Sequence, residues 1–123
     1  MKHRIFSAVF ILFTLFTTFG LSQNIIINEI YNSSASTDEW IELLVIQDGL
    51  DLRGWNVQDF TNGGGAGATL TFSNNSLWAS LQSGTIIVIG QSGASFTEDT
   101  DLSDHVVMIK ATNEHISAAL YLQ

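Results

Sequence analysis

Cysteine and proline are both absent from these 123 residues, and only four lysines and arginines stand against twelve aspartates and glutamates. Without cysteine no disulfide can staple the fold, so a core must hold by packing alone. Without proline, turns fall to glycine and asparagine. The scarcity of positive charge has a functional consequence. A surface this acidic repels phosphate backbones, which excludes direct binding of nucleic acid. A convincing helix is missing too after the first twenty or so residues.

What is present begins with a processing segment. Lys2 and Arg4 form a short positive region, and an apolar run extends from Ile5 to about Phe19. Gly20-Leu21-Ser22 then puts small residues three before and one before a cut after Ser22. This is the layout of a secretory signal peptide, so residues 1–22 are expected to be removed on export. An uncleaved segment would be the chain's one contact with a membrane. No cysteine follows it to accept a lipid anchor. The cut removes two of the four basic residues and none of the twelve acidic ones, leaving a formal charge of two minus twelve, −10. The expected product, residues 23–123, is secreted or held at the cell surface. It is large enough for one modest core and too small for a large enzyme scaffold.

In that product, short apolar runs alternate with clusters of glycine, asparagine, serine and aspartate, the rhythm of an all-β sandwich or barrel. Strands are predicted over Ile25–Tyr31, Trp40–Gln47, Leu52–Phe60, Leu70–Ser73, Thr85–Ile89, Val106–Lys110 and Ile116–Leu122. That makes about seven strands, with Leu77–Leu81 a short extended or irregular piece. The last two strands are predicted to form a hairpin around Thr112-Asn113. Gly54, inside the third, suggests a bulge or a close backbone approach. Alternation puts Ile25, Ile27 and Tyr31 on one face of the first strand, with Ile26 and Ile30 on the other. In the second strand Trp40, Leu44 and Ile46 oppose Ile41, Leu43 and Val45. Both faces are apolar, so either the sheets are well covered or a partner covers one of them.

Three runs occur in order: Ile27-Asn28-Glu29-Ile30, then Asp38-Glu39-Trp40-Ile41-Glu42-Leu43, then Asp51-Leu52-Arg53-Gly54-Trp55, with Thr85 to Gly90 following. In this order and spacing they resemble the lamin-tail domain family in its bacterial secreted form. The resemblance spans most of residues 23–123. It implies an immunoglobulin-like β-sandwich of about seven strands. It also implies a non-catalytic module used in binding or assembly, with an unknown protein or a polysaccharide at the cell surface as partner. Exported members are commonly longer, so the chain is expected either to stand alone or to be the N-terminal accessory domain of a longer secreted enzyme, such as a nuclease or other hydrolase. A carbohydrate-binding module is a further alternative. Function carried by fold alone is analogy.

The candidate sites are sparse. Gly90-Gln91-Ser92-Gly93-Ala94 looks like a loose nucleophile elbow but lacks the helix and the α/β scaffold that motif needs. Gly63-Gly64-Gly65-Ala66-Gly67 lacks the lysine of a phosphate loop and leads into a strand. His105 and His115 bracket the predicted hairpin, without a third ligand for zinc. Glu98, Asp99, Asp101 and Asp104 are weak calcium candidates, their spacing matching no twelve-residue calcium loop. Glu29 and Glu42 lie inside strands and belong to the lamin-tail pattern. Arg53 is expected to pair with one of them, because buried charges persist mainly when paired. Trp40 and Trp55 are expected in the core. Trp78, in a polar stretch, is the candidate for stacking on a sugar. No catalytic residue, cofactor or metal is expected.

Overall fold

The computed structural model describes residues 23–119. The signal segment and the end of the last predicted strand, residues 120–122, lie outside the described residues. Among the described residues seven strands form two open sheets. They are β1 (Ile25–Tyr31), β2 (Trp40–Val45), β3 (Asn56–Phe60), β4 (Ala66–Phe72), β5 (Ile86–Gly90), β6 (Val106–Lys110) and β7 (Ile116–Ala119). The larger sheet has the order β1-β2-β5-β6 and the smaller the order β3-β4-β7. Among the described residues the only helical pieces are short 3-10 turns.

Alternation builds the core. β2 reads half-buried, buried, half-buried along its length, with Ile41, Leu43 and Val45 turned inward. They join Ile87, Ile89, Val107 and Ile109 from β5 and β6, and Leu70, Phe72 and Ile116 from the smaller sheet, in one cluster. The connections close it with Leu50, Leu52, Trp78 and Leu81. Each such side chain contributes roughly 1.5–3 kcal/mol on burial, which is how a fold without disulfides holds.

Several predicted elements are displaced, each for a local reason. The third strand starts at Asn56 instead of Leu52, because residues 51–55 form a turn. The Asp51 carboxylate accepts from the Arg53 backbone N–H at 3.0 Å, and Gly54 sits at φ +76°. Gly54 is thus the left-handed residue of a turn rather than a bulge. The piece around Leu77 is a 3-10 turn over Ser76–Trp78, capped by the Asn75 side chain on the Leu77 N–H at 2.9 Å.

The predicted hairpin of the last two strands does not form. β6 runs parallel to β5 in the larger sheet, while β7 pairs with β4 in the smaller one. A tight corner carries the chain between them: the Asn113 N–H donates to the Lys110 carbonyl and the Ile116 N–H to that of Asn113. Glu98 braces the corner, accepting from the Lys110 N–H at 2.6 Å and from the Asn113 amide at 2.9 Å. The parallel β5–β6 pair requires a long crossover, and the polar stretch from Gln91 to His105 supplies it.

β1 also departs from strict alternation. Its pairing with β2 shifts between Ile27 and Glu29, so Asn28 and Glu29 together oppose Glu42. This bulge reverses the side-chain parity beyond it. Ile30 pairs with Ile41 and therefore shares the inner side with Ile25 and Ile27, whereas Tyr31 pairs with Trp40 on the outer side.

Candidate binding groove between the sheet edges

Among the described residues β1 and β3 are edge strands, each paired on one side only. They lie across from each other at one open side of the two sheets and leave a cleft there. Ile27 and Ile30 turn inward from β1 yet stay 55% and 63% exposed, because little fills the gap opposite them. A cleft of about 180 Å³ opens between Ile27, Ile30 and Tyr31 on one side and Val57, Gln58 and Asp59 on the other. A second, of about 270 Å³, continues past Leu52 and Trp55 and shares Ile27, Val57 and Gln58 with the first. The two form one groove along the seam. At its end Tyr31 stacks on Trp40, ring centroids 5.7 Å apart and planes at 18°.

Exposed large apolar side chains gather here. Ile27, Ile30, Tyr31, Trp55 and Phe60 all lie on β1, on β3 or at the entry to β3. Elsewhere, Ile46 is the other large apolar side chain left open among the described residues. The polar groups at the cleft are the amides of Asn32 and Gln58 and the carboxylates of Glu39 and Asp59. Among the described residues no lysine or arginine lines either part of the groove.

No protein-family model, curated protein or solved structure matches this chain. The lamin-tail resemblance therefore rests on its short motifs, and the site must be argued from geometry.

The structure redistributes the residues singled out in the sequence. Trp78 is fully buried, its indole N–H donating to the His115 carbonyl at 2.8 Å and its ring meeting the edge of Phe72 at 4.9 Å. It cannot stack on a sugar. Trp55, expected in the core, is 42% exposed, and Trp40 is half-buried on the outer face. The reason lies in tertiary packing: the turn at residues 51–55 turns Leu52 inward and Trp55 outward, while the 3-10 turn drives Trp78 under β4.

Arg53 pairs with neither Glu29 nor Glu42. Its guanidinium meets Asp51 at 2.6 Å, on the surface. The turn brings these two side chains together and leaves β2 out of reach. Hydrogen bonds from Arg53, those of the guanidinium first and that of the backbone N–H second, hold the Asp51 carboxyl down at about 2. Glu42 instead accepts from the Asn28 amide at 2.6 Å, and Glu29 stands opposite it in the β1–β2 register.

The four acidic residues of the crossover serve the chain itself. Glu98 braces the corner, and its pKa is lowered chiefly by the Lys110 N–H. Asp99, Asp101 and Asp104 accept backbone N–H groups two residues ahead, at 2.8–2.9 Å. Asp101 is lowered by its bonds from Ser103. Among the described residues no group of three or more histidines or acids is placed to hold a metal.

His105 and His115 do not face each other across a hairpin. His105 ends a 3-10 turn at φ 63°, and His115 lies edge-on to Trp78 before β7. Gly90 packs against Ala94 and Phe96, Gly93 donates its N–H to the Thr37 carbonyl, and the next helical piece is only the short 3-10 turn at Leu102–Asp104. The glycine-rich loop shrinks to a hairpin turn, with Ala66 and Gly67 already in β4.

Sequence reasoning missed Asn32, Val57, Gln58 and Asp59, the far wall and end of the cleft. The usable signal was the apolar character of both faces of β1, which a seven-residue edge strand does not need unless something covers it.

Proposed function

We propose that this chain is an exported, non-catalytic binding or assembly module of immunoglobulin-like, lamin-tail type, and that it takes its ligand in the groove between β1 and β3. The observation that carries this reading is the concentration of exposed large apolar side chains there: Ile27, Ile30 and Tyr31 line the first cleft and Trp55 the second. Apolar residues scattered singly over a surface need no explanation, whereas a contiguous patch rimmed by polar groups marks an interaction site. Concave, mostly apolar sites with a few polar groups at the rim are the usual form of ligand pockets. The acidic balance of the chain keeps such a patch soluble outside the cell. The carbohydrate alternative loses its original support, since Trp78 is buried.

Titration of the isotopically labelled protein with indole tests the site itself. Amide shifts are expected to move at Ile27, Ile30, Tyr31, Val57 and Gln58 and to stay still at Ser92, His105 and Asn113. Shifts confined to residues outside the groove, or none at all, would remove the groove as the binding site.

A further inference from the structure

We infer that the occupant of the groove is a short extended peptide, cationic and carrying one apolar side chain that seats in the cleft. This rests on the binding reading above and names the partner's chemistry. Size is the first argument. A dry apolar cavity of about 150 Å³ holds one benzene-sized group. The cleft beside Ile30, at about 180 Å³, is on the scale of a single ring or branched side chain.

Backbone chemistry is the second argument. Among the described residues no neighbouring strand uses the N–H and C=O groups on the outward edges of β1 and β3. A strand laid alongside would satisfy them, the usual mode of peptide capture at a sheet edge. Register shifts at Asn28 in β1 and at Asp59 in β3 interrupt both edges. Pairing is therefore limited to a few residues, and the seated side chain must supply the rest of the grip.

Charge selects among extended partners. Glu39 and Asp59 line the cleft. Glu29 and Glu42 face outward from β1 and β2 and line neither part of the groove. Arg53 is held by Asp51, and the Lys110 ammonium donates to the Ser92 carbonyl at 3.1 Å, so neither neutralises this rim. A second copy of this acidic chain would set the same carboxylates against themselves. Lysines or arginines flanking the seated side chain pair with Glu39 and Asp59 and steer the encounter.

The test uses two fluorescently labelled heptapeptides. One alternates lysine with leucine around a central tryptophan, and the other has glutamate in place of every lysine. The lysine peptide is expected to bind about ten-fold tighter at low salt, the sum of two exposed ion pairs, with the gap closing at high ionic strength. Glu39→Gln and Asp59→Asn should each weaken it by up to about five-fold. Ile30→Ser should weaken it further without moving the thermal transition, because Ile30 is 63% exposed. Equal affinity for both peptides would overturn the inference while leaving indole binding, and so the groove itself, intact. A chain that ignores both peptides and sediments as a dimer would also overturn it, in favour of a second copy.

Discussion

Replacing Trp78 by alanine removes the largest fully buried side chain of the core. The indole is roofed by Phe72 and by His115, whose rings lie 4.9 Å and 6.3 Å away. Truncating a buried tryptophan costs about 3–5 kcal/mol, set mainly by lost transfer energy and the cavity left behind. The hydrogen bond adds little to this. The His115 carbonyl that receives the indole N–H also receives the Ser73 N–H at 2.9 Å, so it keeps a partner when the indole goes. Small domains have only about 5–15 kcal/mol of stability in total, so this one change takes a large share. Trp78→Phe keeps a ring against Phe72 and gives a graded version, with a loss of about 1–2 kcal/mol expected from the smaller ring and the absent donor. Trp55 is the matched control: it is 42% exposed, and its truncation should cost about 1 kcal/mol or less. Urea unfolding followed by far-ultraviolet circular dichroism reads all three variants. With a slope of about 1 kcal/mol per M, the midpoint of Trp78→Phe should fall by 1–2 M. A Trp55→Ala loss equal to or greater than that of Trp78→Ala would refute the placement of both residues.

The surface pair gives a pH signature: Asp51, held at about 2, keeps its favourable contact above the ordinary carboxylate range and loses it as pH falls from there through about 2. Its titration followed by NMR should return toward the ordinary aspartate value of 3.8 in Arg53→Met, and an unmoved midpoint would dissolve the pair. Export predicts that the released protein begins at or within a few residues of Gln23, read by N-terminal sequencing, and retention of the apolar run from Ile5 to Phe19 would contradict it.

The sequence by itself determined the strands and the turns between them. Period-two alternation in Trp40–Val45, the continuous apolar run of Ile86–Ile89 and the glycine and asparagine clusters are local signals, and each marks its element within a few residues. It also held the hint of the groove, in a first strand apolar on both faces. Tertiary structure decided the rest, because pairing in a sheet is non-local. Nothing within Val106–Lys110 or Ile116–Ala119 says that one joins β5 in parallel while the other crosses to β4. One bulge at Asn28 reversed the parity of β1 and turned Ile30 inward and Tyr31 outward, a reversal that alternation alone cannot contain. The same holds for the tryptophans. A polar neighbourhood in sequence suggested an exposed Trp78, but burial depends on what lies above a side chain in space. The turn at residues 51–55 settled two assignments together: it brought Arg53 to Asp51 and left Trp55 outside. The groove exists only because two edge strands from different sheets, β1 and β3, face each other across an unfilled gap, and that is a property of the assembled fold.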